Sequence, residues 1–277
     1  MGAVPAVGGI QMKFAAWNCC LALFLLVPGE TIAAPSTSAG QAAAPDSERY
    51  AVALELANTI VRQSGDKANI EQIVRITLDK AVASSEEFKM LDKAYPDLRA
   101  ELAAAWLPLF IENVEFVKPK YAAEIAELYA KNLTIGEVRE NLAFWKSAAG
   151  QALSRQLNSN LKFDASLDEI VKETMVDVND QSGASTAALE RDRAAAVRTT
   201  IKQISPEARL QIMRYSLSPA GRKIVALNPQ RAAIDAKWFN ATSPEVEAKI
   251  QTTTIETIAA HIARVDAERA GSEPAKK

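Results

Sequence analysis

Few side chains in this sequence have the chemistry of a catalytic or metal-binding centre. His261 is the only histidine, and it lies between Ile258 and Ile262 in an apolar helical stripe, the setting of a core or rim histidine rather than of a general base. Cys19 and Cys20 both fall in an N-terminal apolar run. With one histidine and no thiol in the rest of the chain, a zinc site of the usual nitrogen and sulfur ligands is excluded. Asp164, Asp168 and Glu169, with Asp177 and Asp180 beyond them, supply carboxylates that a hard cation would need. They lack the alternating acids and central glycine of a calcium loop, so they read as a solvated helix face.

Other short patterns fare no better. Ser64-Gly65-Asp66-Lys67 has the spacing of a Ser-x-x-Lys nucleophile, but no Lys-Thr-Gly or Ser-Asp-Asn accompanies it, and Ser-Gly-Asp is ordinary punctuation at a helix end. There is no phosphate-cradling glycine loop and no Gly-x-Ser-x-Gly elbow. Arg191, Arg193 and Arg198 form a basic patch interrupted by Glu190 and Asp192, which reads as a solvated face. The 32 Lys and Arg against 34 Asp and Glu leave no basic excess for nucleic acid. No catalytic residue, metal ligand or cofactor site is expected, and the sequence singles out no binding residue.

The elements that carry these residues are helical. With 277 residues and 48% hydrophobic content the chain can bury a sizeable core, and its 11 glycines and scarcity of alternating β-branched residues favour helices over strands. Residues 1–34 have the layout of a secretory signal peptide: Lys13, an apolar run from Phe14 to Val27, the breaker Pro28-Gly29, then small residues at Thr31, Ala33 and Ala34. The run is shorter than the roughly 20 residues of a membrane span. Export to the periplasm or medium is therefore expected, with a flexible leader over 35–46, helical parts over 47–180 and 181–269, and a flexible tail over 270–277.

The expected fold is all-α, an irregular bundle of about ten helices. Val52, Leu56, Thr59 and Ile60 mark a first stripe, and Ile73, Val74, Leu78 and Val82 a second. Ser84 with Glu87, and Ser166 with Glu169, have the spacing of capping boxes. In Asp97–Val117 the proline at 108 predicts a kink or break, and Lys118-Pro119 an end, with a separate short helix over Tyr121–Lys131. Asn179–Thr186 reads as a linker. Ser243-Pro244-Glu245 is a strong start for the last helix, whose stripe is Ile250, Ile255, Ile258, Ile262 and Val265. Core packing accounts for Trp106, Phe110, Phe144, Trp145, Tyr215, Trp238 and Phe239.

One pattern occurs twice. LTIGEVRENLAFWKSAAG, Leu133–Gly150, returns as ISPEARLQIMRYSLSPAG, Ile204–Gly221, at a constant offset of 71 residues. Thr134 pairs with Ser205, Leu142 with Met213, Phe144 with Tyr215, and Ser147, Ala149 and Gly150 with Ser218, Ala220 and Gly221. Each copy reads as a capped helix, a one-residue corner at the serine, and a second helix whose glycine permits close approach. Val138 becomes Arg209 and Trp145 becomes Ser216, while Arg139 becomes Leu210 and Lys146 becomes Leu217. The buried stripe of the second copy is thus expected to be rotated by about one residue, or roughly 100°.

The run IAELYAKNLTIGEVRENLAFWKSAAGQALSRQL, Ile125–Leu157, resembles the bacterial family catalogued as domain of unknown function 2059. The shared features fall on Tyr129, the cap Thr134, the acid Glu137, the aromatic pair Phe144 and Trp145, and Lys146, Ser147, Ala149 and Gly150. Gly136 departs from the acid that members commonly place there. The resemblance implies a small helical domain of exported bacterial proteins and no established activity, so no catalytic role is carried over. Together these readings predict a non-enzymatic cell-envelope module that offers a groove between helices to a protein or peptide partner. The alternative is a carrier of a small apolar or lipid-like ligand held between helices.

Overall fold

The computed structural model describes residues 47–62, 67–176 and 183–272. The expected signal peptide and leader, both cysteines, Ser64-Gly65-Asp66, Asp177, Asp180 and the end of the tail lie outside the described residues. Among those described there are twelve α-helices and no strand. They are α1 (Ser47–Arg62), α2 (Lys67–Ser84), α3 (Glu86–Ala94), α4 (Leu98–Asn132), α5 (Ile135–Lys146) and α6 (Ala148–Asn160). The second half holds α7 (Asp164–Val176), α8 (Thr186–Gln203), α9 (Pro206–Leu217), α10 (Pro219–Ala226), α11 (Asn228–Phe239) and α12 (Pro244–Ser272).

The organising element is α4, 35 residues long. It runs through both Pro108 and Pro119, so the break expected at the first and the end expected at the second do not occur. The two prolines are about three turns apart and therefore on one side of the helix. Both are exposed, as are Ala104 and Glu115, whose carbonyls lose their helical donor and can be met by water instead. The opposite side, from Leu98 through Trp106, Val114 and Tyr121 to Tyr129, is buried along the whole length, and that packing keeps the helix continuous across positions where propensity alone would end it.

Two hydrophobic clusters share α4. One gathers α2, α3, the first half of α4, α7 and α12 around Leu78, Leu102, Trp106, Phe163 and Phe239. The other gathers α1, the second half of α4 and the two corner units around Leu56, Ile125, Tyr129 and Trp145. Each draws on residues both before and after 180. In the first cluster Trp106 Nε1 donates to Thr254 Oγ1 at 2.9 Å, and Thr254 in turn donates to the Ile250 carbonyl at 2.6 Å. This places Thr254, Ile258 and His261 on the buried side of α12. Ile255, expected in that stripe, is 60% exposed because it lies one residue, about 100°, away from Thr254.

The two expected capping boxes are corrected. Ser84 closes α2 by donating to the Ala81 carbonyl, and Ser85 is the cap of α3, accepting from Phe88 N at 3.1 Å. Ser166 lies inside α7, buried. The start of α7 is capped from outside: Asp192 of α8 accepts from Ala165 N at 2.7 Å, Ser166 N at 2.8 Å and Ser166 Oγ at 2.6 Å. Glu169 of α7 reciprocates by accepting from Ser185 N at 2.7 Å, at the start of α8. Each helix therefore supplies a carboxylate to the other's positive end. Ahead of α12, buried Asn113 ties down the connection by donating to the Ala241 carbonyl and accepting from Ser243 N.

Candidate functional site

The repeated pattern folds as two helical corners of the same construction. Ser147 ends α5 and starts α6 at φ −70°, ψ 161°, and Ser218 ends α9 and starts α10 at φ −67°, ψ 157°. Their amides donate to the carbonyls of Phe144 and Tyr215 at 2.9 and 3.0 Å. Their hydroxyls accept from Gly150 N and Gly221 N at 3.2 and 3.1 Å. The glycines are required by the turn: a Cβ on Gly150 would stand 2.2 Å from the Phe144 carbonyl oxygen, and one on Gly221 2.0 Å from that of Tyr215. The α5 start is closed by a full capping box between Thr134 and Glu137, while Ser205 with Pro206 opens α9.

The corners also pack on each other reciprocally, α5 against α10 and α6 against α9. At the centre the rings of Phe144 and Tyr215, equivalent positions in the two copies, stack face to face. Tyr215 donates its hydroxyl to Asn141 Oδ1, and the Asn141 amide donates to the Glu137 carbonyl at 2.7 Å. Lys223 of α10 closes the edge with an ion pair to Glu137 at 2.6 Å.

Outside this interface the copies differ. Over α5 lies α1, with Arg139 paired to Glu48 at 2.7 Å and Lys146 paired to Glu55. Leu142, on the same face of α5, is buried. The equivalent positions on α9 are Leu210, Met213 and Leu217, which are 44%, 52% and 62% exposed. The rotated buried face expected for the second copy is therefore not formed: Tyr215 is the buried residue of α9, and its three apolar neighbours face outward. No described helix occupies the position over α9 that α1 takes over α5, and α9 packs instead on α6 and α10. Exposed Lys202, Arg209, Arg214 and Arg222 lie around this face, with Glu207 as the one acid in that stretch.

A second polar assembly is buried where α4, α8 and α11 meet. Asp235 accepts from Tyr121 Oη at 2.6 Å and from Arg193 Nη2, and Arg231 Nε lies 3.8 Å from the same carboxylate. Arg193, expected on a solvated face with Arg191 and Arg198, instead turns inward; Arg191 and Arg198 are exposed. The signal was its position one turn from both Leu189 and Val197, which are buried. The pair Arg231–Asp235, missed in the sequence, had a signal too: opposite charges at i and i+4 with only the apolar Ala232, Ala233 and Ile234 between them. Burial raises the pKa of Tyr121 and Tyr129, so both are neutral phenols.

The remaining candidates are placed apart from one another. Asp164 and Asp168 are exposed and share Lys80, at 3.9 and 2.6 Å, so these carboxylates fan outward. Glu169 is committed to the start of α8. His261 is in the core: Nε2 sits 2.9 Å from the Pro96 carbonyl, and Nδ1 lies 2.9 Å from both Glu101 Oε2 and Arg264 Nη2. Hydrogen bonds from His261 and then Arg264 lower the pKa of Glu101. Lys67 lines a cleft of about 730 Å³ between α2, α3 and α4. Its charged walls pair internally, Arg75 with Glu71 and Arg99 with Asp79 and Asp92. Among the described residues no group of three or more His, Cys, Asp or Glu is placed to hold a metal ion, and no helix is long and apolar enough to cross a membrane. Trp238 is half-buried, donating to Glu124 at 2.6 Å, and the other six expected core aromatics are buried.

Comparison with known proteins yields no match to a family model, a curated protein or a solved structure.

Proposed function

We propose that this protein is an exported, non-enzymatic interaction module of the cell envelope, and that the outer face of α9 docks an acidic amphipathic helix of a partner protein. One observation carries the reading. Leu210, Met213 and Leu217 occupy the positions that in α5 lie beneath α1, yet they are apolar and uncovered. A helix surface that places leucine where its twin places lysine and arginine is built to exclude water against something. The twin also supplies the geometry of the occupant, a helix laid over the face with its own apolar stripe inward.

Charge chooses the sign of that helix. α1 brings Glu48 and Glu55 to the basic residues of α5. Around α9 the exposed charges are Lys202, Arg209, Arg214 and Arg222 against the single acid Glu207, a basic excess that favours a partner with glutamates or aspartates flanking its apolar stripe. Export is supported by the layout of Lys13 and Phe14–Val27. The resemblance of Ile125–Leu157 to the domain of unknown function 2059 points the same way. The carrier alternative would use the cleft beside α4, whose walls combine Leu78, Ala103 and Leu107 with the paired charges of Arg75 and Arg99; the uncovered apolar face of α9 favours the interaction module.

The reading is tested with a labelled amphipathic helical peptide carrying leucines at i, i+3 and i+7 and flanking glutamates, titrated by fluorescence anisotropy. Saturable binding weakened at least tenfold by either Leu210→Glu or Leu217→Glu, and unchanged by Met90→Glu on distant α3, is the expected result. Equal affinity in all three variants contradicts it. Self-association in sedimentation that the same α9 variants abolish would assign the face to a second copy instead.

A further inference from the structure

The cleft of about 730 Å³ beside α4 is elongated. One wall is the stripe Lys67, Glu71, Arg75 and Asp79 of α2, four residues apart at each step and alternating in charge. The facing wall, on α4, is small and apolar, formed by Ala100, Ala103, Ala104 and Leu107. The turn between α3 and α4 closes the end nearest Asp79, where Arg99 pairs with Asp79 at 2.7 Å and with Asp92. From Lys67 to Asp79 the charged wall is about 18 Å long, and its charges recur about every 6 Å.

The two ends of this groove carry opposite charges that no described residue neutralises. Asp97 opens α4 at φ 68°, in the left-handed region and not in the extended backbone of a capping residue, and its side chain makes no cap hydrogen bond. It is exposed, lines the cleft and enters no ion pair among the described residues. Lys67, exposed at the other end, pairs with no described acid. Between them Arg75 donates to Glu71 at 2.6 Å through one guanidinium nitrogen, so the pair retains donors and acceptors for a ligand.

These spacings select the ligand. An extended peptide presents an N–H and a C=O together on one edge at every second residue, about 6.6 Å apart, close to the step of the α2 wall. The carboxylates of Glu71 and Asp79 can accept from its N–H groups, and the Arg75 guanidinium can donate to its C=O groups. The small alanines of the far wall let such a chain lie close. About five extended residues match the length of the charged wall. That length puts an α-amino group beside Asp97 and an α-carboxylate beside Lys67. A polyamine or a dicarboxylate matches one end only, and a fatty acid leaves the polar wall without partners.

We propose that the cleft between α2, α3 and α4 binds a short extended peptide of about five residues with free termini, its amino end at Asp97 and its carboxyl end at Lys67. The cleft shares no residue with the α9 face, so the two sites are tested separately.

The test titrates the full chain with an unlabelled pentapeptide of alternating alanine and serine, read by isothermal titration calorimetry. Saturable binding is expected, weakened at least tenfold by acetylating the amino end, by amidating the carboxyl end, or by shortening the peptide to three residues, about 10 Å. Asp97→Asn removes the charge and keeps a residue that tolerates the left-handed backbone. It should weaken the free peptide at least tenfold and leave the acetylated one unchanged. Lys67→Gln should likewise weaken the free peptide and spare the amidated one. No binding at millimolar peptide, or binding indifferent to both end modifications and both variants, overturns the proposal. Loss on acetylation with amidation tolerated would mark a site for simple amines and overturns it too. Tighter binding of decanoate, insensitive to Asp97→Asn, would give the cleft to an apolar ligand and also overturns it.

Discussion

The rings of Phe144 and Tyr215, 71 residues apart, lie 3.7 Å centroid to centroid with planes 1° apart. They are equivalent positions in the two corner units, so the two copies of the sequence pattern meet at their own repeated residue. The stack contributes about 0.5–1.5 kcal/mol beyond the area it buries. The reciprocal packing around it, α5 on α10 and α6 on α9, fixes where the outer face of α9 points.

Tyr215 separates the ring from the hydroxyl. Tyr215→Phe keeps the stack and strips Asn141 Oδ1 of its donor, and should cost about 1–2 kcal/mol, while Tyr215→Ala, which empties the interface, should cost about 3–5 kcal/mol. Urea denaturation of the two variants checks the order.

The corner glycines predict a contrast that helix propensity alone reverses. Alanine at Gly150 or Gly221 would favour the helix by roughly 1 kcal/mol but drive a Cβ into a carbonyl oxygen, so each variant should be destabilised by at least about 1–3 kcal/mol. Gly136 has nothing within 4 Å of an added Cβ, and Gly136→Ala should stabilise by about 0.4–1 kcal/mol. Thermal melts of the three variants decide it.

Asp192 holds the start of α7 from a neighbouring helix. Asp192→Ala leaves two backbone amides and the buried Ser166 hydroxyl without their acceptor, and should cost about 2–3 kcal/mol. Hydrogen exchange should show the loss concentrated at residues 164–169, and uniform deprotection of the whole chain would contradict a local cap.

Glu137 gives a pH dependence of known sign. The hydrogen bond from Lys223, and then that from Thr134 N, hold its pKa below the usual 4.5. A lowered folded-state pKa adds stability that is present above the unfolded value and lost as pH falls through the folded one. Glu137→Gln should therefore be less stable than the unaltered protein at neutral pH, with the gap closing below about pH 4. Denaturation midpoints at pH 7 and in that acid range measure it.

Much of the fold is legible locally. Ser147 and Ser218, with Ala-Gly after each, spell out one-residue corners because caps and tight turns depend on a few adjacent residues. Non-local contacts decide what local reading misses. Pro108 and Pro119 look like helix ends until the buried side of α4 is known, since only then is it clear that both prolines face water. Ser166 and Glu169 have the spacing of a capping box but serve a neighbouring helix. Arg193 reads as surface because the carboxylate that draws it inward, Asp235, is 42 residues away. The exposed α9 face is the hardest to foresee: Leu210, Met213 and Leu217 have the pattern of a core stripe, and only the absence of a described helix over them shows otherwise.

The central claim, that this face receives an acidic amphipathic helix, is tested most directly by methyl-detected NMR of the full chain titrated with the acidic peptide. Leu210, Met213 and Leu217 should shift together and saturate with one affinity, while Met90 and Ile255, exposed elsewhere, stay in place. Shifts confined to other methyls, with those three unmoved at saturation, would contradict it.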